Sequence, residues 1–348
     1  MPLASGHTVE TLQEEELQRH VEIFKGHTTG LVRLIPGRWC LPESYVKFAD
    51  ALYNFKFRET DVMVITYPKC GTTWIQEIIW TMKNNPNLDN PKAATLSKLR
   101  VPFLEMDALK ISRNSSLRDH EPRMFATFKT MCPGRDPDDG IQLQMAEVMP
   151  DPRILKSHLP LSLHNPDLID TTKVVYVARN PKDVVVSYHH FMRLLKCHDF
   201  VGSFDQFVQQ FVDDDLYYGP FWLHLKEAWE KRDHPNLHFI FFEELKANNI
   251  VELRRLNKFL ETNLTEDQLQ KVARHTSFSV MKTREEKIQP PEENAAFKKD
   301  IAMTDGGSYR KGEAGDWEHH LSREQQEKID QWTARNVKAF GHSFPYSP

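Results

Sequence analysis

The chain of 348 residues lacks the features that mark several large protein classes. It has only four cysteines, and none form a Cys-x-x-Cys pair, which favours free thiols over a disulfide framework or a zinc site. No apolar run approaches the roughly 18 residues of a membrane span, and the N-terminus, through Glu14–Glu16, is too polar for a secretory signal. The formal net charge of -4 offers no basic excess for nucleic acid or an anionic membrane. We therefore expect a cytoplasmic protein that binds neither.

Apolar segments of two kinds alternate along the chain. Four short runs have the β-branched or aromatic character of buried parallel strands, at residues 62–65, 153–156, 173–177 and 237–242. Helical patterns lie between and after them, and Thr265 and Ser322 each begin a capping box. We predict an α/β fold with a central parallel sheet flanked by helices. The predicted organisation is a single domain, 41–348, preceded by an N-terminal extension, 1–40.

Residues 66–74, Thr-Tyr-Pro-Lys-Cys-Gly-Thr-Thr-Trp, join the first of these strands to a helical pattern. Free backbone N–H groups at such a turn, together with the positive end of the helix dipole, favour an anion. Lys69 adds a positive charge, and Thr72 and Thr73 add hydroxyl groups. The turn is not a Walker A loop, in which the lysine follows the last glycine. The sequence therefore predicts a P-loop-like turn that binds phosphate.

Three further motifs contain residues suited to proton or phosphate chemistry. Residues 156–160, Lys-Ser-His-Leu-Pro, supply His158, whose imidazole titrates near neutral pH and suits a general base. A second motif places Arg179 at a strand end, and an arginine fork matches a phosphate better than a lysine does. Residues 310–317, Arg-Lys-Gly-Glu-Ala-Gly-Asp-Trp, put a basic pair beside a glycine. Because ligands bind beyond the carboxyl ends of parallel strands, we expect Lys69 and these residues to line one cleft.

The four motifs together closely resemble those of the cytosolic sulfotransferases. These enzymes move a sulfonate group from 3′-phosphoadenosine 5′-phosphosulfate (PAPS) to a hydroxyl or an amine. The resemblance extends from about residue 48 to the last predicted helix. It implies that PAPS is the co-substrate, that 3′-phosphoadenosine 5′-phosphate (PAP) is a product, and that no metal takes part. It also implies a small hydrophobic acceptor that carries a hydroxyl group or an amine.

The resemblance implies catalytic roles for three residues. His158 matches the general base that takes the proton of the acceptor. Lys69 matches a lysine at the oxygen that bridges phosphate and sulfonate. Negative charge grows on that oxygen as the S–O bond breaks, so a lysine there favours the transition state over the ground state. Lys156 matches a lysine that steadies the sulfonate oxygens.

Binding residues are implied in the same way. The adenine ring is expected between Trp74 and Phe278, and Phe242 stands where the family usually has tyrosine. The residues implied for PAPS are Lys69, Cys70, Gly71, Thr72, Thr73, Trp74, Arg179, Ser187, Phe242, Thr276, Ser277, Phe278, Arg310, Lys311 and Gly312. Those implied for the acceptor are Phe48, Phe191 and His198, an aromatic set that suits a hydrophobic phenol, alcohol or sterol.

Two segments differ from the regular pattern. An insertion at about 113–147 is polar and interrupted by prolines, and its length resembles the insect retinol dehydratase branch of the family, where a comparable insertion covers the acceptor. Irregular segments of this length are often lids. The apolar residues that would face the acceptor, or form a small separate core, are Met124, Phe125, Phe128 and Met131. A second loop, at about 289–307, is expected to be mobile.

The C-terminal region departs from the motif through which many cytosolic members dimerise. Glu318 replaces a lysine of that motif, and Arg323 replaces its valine. A charge at a small hydrophobic contact removes the driving force and adds a desolvation cost. We predict that this dimer contact is weak or absent.

Other functions stay open at this point. A nucleotide kinase needs a Walker lysine and a carboxylate-rich magnesium site, and neither motif is present. A variant of the leading function would dehydrate an allylic alcohol through a transient sulfate ester, because sulfate is a good leaving group. A nucleotide-binding module without turnover is the non-enzyme alternative, and Lys69, Lys156 and His158 argue against it.

Overall fold

A computed structural model describes residues 2–109, 122–341 and 344–346. In chain order, its strands are β1 (Thr8–Thr11), β2 (Leu31–Ile35), β3 (Trp39–Pro42), β4 (Val62–Thr66), β5 (Ile154–Ser157), β6 (Lys173–Ala178) and β7 (Leu237–Phe241). The first three form a small antiparallel sheet, and the other four form a parallel sheet in the order β5-β4-β6-β7. The prediction of a central parallel sheet is confirmed, and its four strands lie where the apolar runs placed them.

Helices flank this sheet. In chain order, the described α-helices are α1 (Glu14–Ile23), α2 (Tyr45–Tyr53), α3 (Thr72–Asn84), α4 (Ser97–Arg100), α5 (Pro122–Met131), α6 (Ile141–Val148), α7 (Leu168–Thr171), α8 (Pro181–Leu194), α9 (Phe204–Val212), α10 (Phe221–Glu230), α11 (Phe242–Ala247), α12 (Asn249–Phe259), α13 (Glu266–His275), α14 (Phe278–Ile288), α15 (Lys299–Thr304) and α16 (Arg323–Asn336). The capping boxes at Thr265 and Ser322 are both present, before α13 and α16.

Strand β4 is buried on both faces of the central sheet. Successive side chains of a strand point to opposite faces. Accordingly, Met63 and Ile65 belong to one apolar core, which α8, α9 and α10 cover. Val62 and Val64 belong to the other core, which α3, α12 and α13 cover. The nearly continuous apolar run of β4 is thus explained by burial on two sides.

The small antiparallel sheet packs onto one of these two cores. Leu31, Val32 and Leu34 of β2 are buried together with residues of β4 and β6. The boundary predicted at residue 40 falls within β3. The division of the chain into an extension and a domain stays a prediction.

The insertion predicted at 113–147 contains regular structure. Its part before α5 lies outside the described residues, and the remainder forms α5 and α6. Met124 and Phe128 are buried between these helices in a small core, with Phe125 and Met131 partly buried against it. The expectation of an irregular segment is wrong for this part, because apolar residues four positions apart on each helix, Met124 with Phe128 and Ile141 with Met145, meet in a shared core. Movement of the helix pair as a lid stays a prediction.

The second loop, at 289–307, packs on the end of α8 and includes α15. Phe297 and Ile301 are buried against Leu194. The Lys298 backbone N–H donates a hydrogen bond of 2.8 Å to the Leu194 carbonyl. This loop therefore has its own apolar anchor on α8, and its mobility stays a prediction.

Candidate active site

The turn between β4 and α3 brings backbone N–H groups and a lysine to the end of the central sheet. Gly71 has φ +100° and stands at the helix start, where a side chain is disfavoured. A Cβ atom there would lie 2.7 Å from the Phe242 ring, so the phenyl group and the turn need glycine at this position. Lys69 also has a positive φ of 69°. The turn thus has the anion-binding form that the sequence predicted.

His158 follows β5 directly, and its ring is fixed by a neighbouring strand. The Nδ1 atom lies 2.8 Å from the Thr66 carbonyl oxygen. A carbonyl only accepts, so Nδ1 carries the proton and Nε2 is left with its lone pair. Burial, with Lys156 nearby, lowers the pKa of His158 well below its usual value. The imidazole is therefore neutral at physiological pH and able to take a proton.

Groups behind His158 hold its backbone, and no sequence motif predicts them. The His158 N–H donates to Glu105 Oε1 at 2.5 Å, and the His224 Nε2–H donates to the His158 carbonyl at 2.9 Å. Tyr176 donates its hydroxyl proton to His224 Nδ1 at 2.7 Å. Glu105 is fully buried, and burial raises its pKa to about 7. These residues belong to no motif, because their role depends on contacts between distant segments.

Two lysines approach the same space from different strands. The Lys69 ammonium lies 4.4 Å from the centre of the Phe191 ring, and that of Lys156 lies 4.4 Å from the Phe103 ring. Burial, together with Arg179 and Lys156, lowers the pKa of Lys69 to about 7. Burial likewise lowers the pKa of Lys156 to about 8, against the effect of Glu105. An anion bound between these cations would raise both pKa values.

Arg179, directly after β6, links the phosphate turn to the C-terminal basic motif. Its guanidinium donates to the Lys69 carbonyl at 3.1 Å and to the Glu313 carbonyl at 2.6 Å. It also stacks on Phe242, 4.3 Å from the ring centre. Its Nε atom is buried with no hydrogen-bond partner among the described residues. Such a buried donor is suited to an anionic ligand, because leaving it unpaired is unfavourable.

The C-terminal basic motif lies against the cavity as well. Arg310 and Lys311 both donate to Asp316, at 2.6 and 2.7 Å. Burial opposes ionisation of Asp316, but these bonds lower its pKa to about 2. Gly312, with φ +64°, lies so close to Phe278 that a side chain there would collide with the ring. The motif therefore presents two cations and a bare backbone to the cavity.

One cavity of about 1340 Å³ collects most of the predicted residues. Those that line it are Phe48, Lys69, Gly71, Thr72, Thr73, Trp74, Lys156, His158, Arg179, Ser187, Phe191, His198, Phe242, Ser277, Phe278, Arg310, Lys311 and Gly312. Cys70 and Thr276 do not line it. Cys70 is buried under the turn, and the Thr276 hydroxyl donates to the Val272 carbonyl. Each of these two residues supports a turn through its backbone or its packing. The structure therefore assigns neither side chain a contact with the ligand.

The cavity has an aromatic end that the sequence located only in part. Phe103 and Tyr218 contact the His158 ring, and Phe191 and Tyr217 contact the His198 ring. Tyr217 and Tyr218 also contact each other, so these rings form one group, which we call the aromatic end; Phe125 lines the same cavity. The Tyr218 ring lies 5.5 Å from the His158 ring, with the planes tilted at 65°. These residues come from separate segments, and no spacing in the sequence connects them.

The residues present fit PAPS. A purine could lie against the apolar surfaces of Trp74 and Phe278, which line the cavity at the α3 and α14 starts. Arg179 and the 310–312 motif supply the cations that a 3′-phosphate requires. Among the described residues, no group of three or more His, Cys, Asp or Glu side chains is placed to hold a metal ion. In the same part of the chain, no helix is long and apolar enough to cross a membrane.

The fold is that of a sulfotransferase. Residues 59–341 match the sulfotransferase domain family, and the chain belongs to that family. It is 33% identical over 300 residues to Sulfotransferase 1 family member D1 of Mus musculus, covering 85% of this chain and 88% of the relative. It is 35% identical over 294 residues to Sulfotransferase 1A1 of Rattus norvegicus, covering 82% and 87%. The protein therefore transfers a sulfonate group from PAPS to a small hydroxyl-bearing acceptor.

Solved structures extend the likeness to the whole chain. Retinol dehydratase in complex with androsterone and PAP superposes with a TM-score of 0.81, at 28% identity, over 99% of both chains. A mouse sulfotransferase in complex with PAP superposes with a TM-score of 0.64 at 22% identity, over 88% of this chain and 94% of the other, a likeness of fold. The suggested branch of the family is confirmed by the first of these neighbours.

Proposed function

We propose that His158 is the general base of the transfer and that the acceptor is a small hydrophobic alcohol or phenol. The hydrogen bond of 2.8 Å from His158 Nδ1 to the Thr66 carbonyl carries this proposal. It fixes the tautomer whose Nε2 can take the hydroxyl proton as the oxygen attacks. An alcohol is a poor nucleophile until that proton is removed, so this is the step in which the chain contributes most.

The other residues stabilise the charge that develops during the transfer or bind PAPS. PAPS supplies the activated sulfonate. Lys69 stabilises the negative charge that develops on the bridging oxygen, and Lys156 neutralises the sulfonate oxygens. The turn N–H groups with Thr72 and Thr73 hold the 5′-phosphate, and Arg179, Ser187, Arg310, Lys311 and Gly312 hold the 3′-phosphate. Trp74, Phe242, Ser277 and Phe278 form the walls around the adenine.

The aromatic end of the cavity is proposed to take the acceptor. Phe48, Phe191 and His198 lie there together with Phe103 and Phe125. Rings on several sides favour a flat or extended apolar molecule with one hydroxyl near His158. Retinol dehydratase has been crystallised with retinol and with androsterone, two hydrophobic ligands, and this supports the same class of acceptor here.

A second candidate function is net dehydration of an allylic alcohol through a transient sulfate ester. The likeness to retinol dehydratase over 99% of both chains favours it. Consumption of an allylic alcohol without a stable sulfate product would support this variant. Accumulation of the sulfate ester as the only product would contradict it.

The test of the proposed function is transfer of labelled sulfonate from PAPS to a panel of phenols, sterols, long-chain alcohols and allylic alcohols. We expect transfer with the wild-type protein and a loss of about 100-fold to 10,000-fold in His158→Ala, the contribution of a positioned general base. Unchanged transfer in His158→Ala would overturn the assignment of the base. PAP binding without transfer to any acceptor would point to a binding module, and no PAP binding would exclude the function altogether.

The C-terminal surface is proposed not to form the usual dimer. Arg323 is exposed and paired with Glu327 on the outside of α16, where the family motif has an apolar contact. The protein is also proposed to reside in the cytoplasm, where thiols stay reduced, because all four cysteines are free thiols. Light scattering of wild-type and Arg323→Ala protein should give equal masses. A dimer that dissociates when residues 318–327 are altered would contradict this proposal.

A further inference from the structure

Three buried histidines lie in a row between the aromatic end of the cavity and the protein surface. His198 lines the cavity, and its Nδ1 is 2.8 Å from His27 Nε2. His27 Nδ1 is in turn 2.7 Å from His20 Nε2. His20 belongs to α1 and is 8% exposed. We call these three residues the histidine chain. One end of the histidine chain therefore lines the cavity, and the other end is a histidine of α1 that keeps a small exposed fraction.

The backbone fixes this arrangement. The Lys25 N–H donates to the Asp199 carbonyl and the Gly26 N–H to the His198 carbonyl, both at 3.1 Å. A side chain at Gly26 would collide with the Cys197 carbonyl, so the two segments approach closely only with glycine there. Rings then confine His27, since Phe24 stacks on it at 4.9 Å and Tyr217 lies 6.0 Å away. The histidine chain is thus part of the packed structure.

Burial keeps the three imidazoles neutral. It lowers the pKa of His20 to about 4, that of His198 to about 3 and that of His27 well below the usual value. At the outer end, Glu16 raises and Arg33 lowers the pKa of His20, and burial outweighs both. A neutral imidazole has one N–H, so the two hydrogen bonds can form in two ways. All three rings carry the proton on Nδ1, or all three carry it on Nε2.

Changing between these two arrangements moves one proton through the histidine chain. A proton that arrives at His198 Nε2 displaces the Nδ1 proton onto His27, which passes its own Nδ1 proton to His20. His20 then releases its Nδ1 proton to water. No imidazole has to stay charged in the buried region, where a charge is unfavourable. A single histidine at the cavity would lack this property.

We propose that the histidine chain is a proton outlet for the acceptor end of the cavity, separate from His158, and that it serves the elimination step of a dehydration. This inference rests on the second function proposed above. His158 takes the hydroxyl proton in the first step, and its other nitrogen is bonded to Thr66. A second proton, released from carbon while the sulfate ester is still bound, therefore needs a second acceptor. His198 is a second neutral imidazole that lines the cavity.

The step balances as follows. The C–O bond of the allylic sulfate ester breaks, its electron pair goes to the sulfate oxygen, and sulfate leaves as a dianion. The electron pair of a C–H bond conjugated with the allylic system becomes a new C=C bond. Its proton goes to His198 Nε2, and one proton leaves the histidine chain at His20. The product is a diene or polyene, and no oxidant or reductant is consumed.

The experiment compares two products of one reaction. Full-length protein is supplied with PAPS and with retinol or geraniol, and the ratio of dehydrated product to sulfate ester is measured. His27→Phe keeps a ring between Phe24 and Tyr217 and removes both nitrogens from the middle of the histidine chain. We expect this ratio to fall by roughly tenfold to 100-fold, at or below the lower end of what a general base contributes. Sulfonation of 4-nitrophenol releases a single proton, which goes to His158, and should stay near the wild-type rate.

Matched controls separate this role from packing. His189→Phe alters a partly buried histidine, which contacts Phe200, Phe204 and Phe207 and is no member of the histidine chain. It should leave the product ratio unchanged. If His27→Phe also loses 4-nitrophenol sulfonation, His20→Phe at the outer end decides the question, with the same fall in ratio expected.

Two results would overturn the inference. One is an unchanged product ratio in a His27→Phe or His20→Phe protein that still sulfonates 4-nitrophenol. The other is a wild-type protein that sulfonates 4-nitrophenol and forms no dehydrated product from either allylic alcohol. Failure of the proposed function looks different, because wild-type protein would then transfer no sulfonate even to 4-nitrophenol.

Discussion

The two ends of the cavity are built in different ways. The donor end, meaning the residues assigned to PAPS, comes mainly from turns that directly follow β4 and β6, with the basic motif at 310–312. The acceptor end brings together side chains that are far apart in the chain, among them Phe48, Phe125 and His198. Phosphate recognition needs a set backbone turn and is encoded locally, whereas an apolar pocket needs only shape, which distant segments can supply.

Among the changes that compare the two ends, the largest effect is expected from Lys69→Met at the donor end. This change removes the charge placed at the leaving oxygen, and loss of one preorganised electrostatic contact lowers kcat by about 100-fold to 1,000-fold. Lys83→Met, near the other end of α3, should leave kcat unchanged. Steady-state kinetics with a phenol acceptor checks both. A Lys69→Met protein with normal kcat and weaker PAP affinity would show that the lysine binds without assisting the reaction.

The affinity for PAP should fall as the pH rises above about 7. Burial and neighbouring cations lower the pKa of Lys69 to about 7 in the free protein, and a bound anion favours its protonated form. Above that pH the lysine must take up a proton on binding, which reduces affinity by up to about tenfold per pH unit. Lys156, with its pKa near 8, adds to the slope one unit higher. Titrations of the protein with PAP between pH 6.5 and 9 check this prediction. A PAP affinity that does not change over this range would contradict it.

At the junction of the two ends, Glu105→Leu should reduce kcat by roughly tenfold with PAP affinity retained. The change leaves the His158 N–H without its acceptor, and such an unpaired buried group is unfavourable by about 1–3 kcal/mol. Glu105→Gln, which keeps an acceptor oxygen, should remain close to wild type. Equal losses in both variants would mean that the negative charge of Glu105 matters, and not the hydrogen bond.

The smallest effect is expected at the acceptor end from Phe125→Ala. Loss of one aromatic contact of about 1 kcal/mol should raise the acceptor KM by roughly fivefold and leave PAP affinity unchanged. Thr130→Ala, an exposed change on the same helix α5, is the control. An acceptor KM that does not respond to Phe125→Ala would remove the insertion from the acceptor site.

Sequence reasoning predicted most of the residues that line the donor end of the cavity. A strand, a glycine with positive φ and a helix start are contiguous, so Lys69, Gly71 and the β-strand pattern of 62–65 could be interpreted together. The parallel sheet then placed His158 and Arg179 beside them, because strand ends meet at one edge. Cys70 and Thr276 are exceptions, since a motif shows which residues recur and not which side chains point inward.

The rest depends on packing between distant segments. Glu105 supports His158 from 53 positions away in the chain, and no local pattern predicts such a contact. The prolines that interrupt the polar stretch around α5 and α6 predict an irregular insertion, whereas the structure has two helices there. Their buried residues pack mainly on each other, as a small core that only the three-dimensional structure defines. The histidine chain was missed for the same reason, since His27 and His198 are separated by 171 positions.

The central claim is that one end of the cavity recognises a 3′-phosphate through Arg179, Arg310 and Lys311. Calorimetric titration of PAP and of AMP into the full-length protein tests it most directly, because the two ligands differ only in that phosphate. We expect one PAP per chain and an affinity roughly tenfold to 100-fold above that of AMP, the contribution of charge-assisted hydrogen bonds. The difference should shrink in Arg179→Met and persist in His158→Ala. Equal affinities for PAP and AMP would contradict the account.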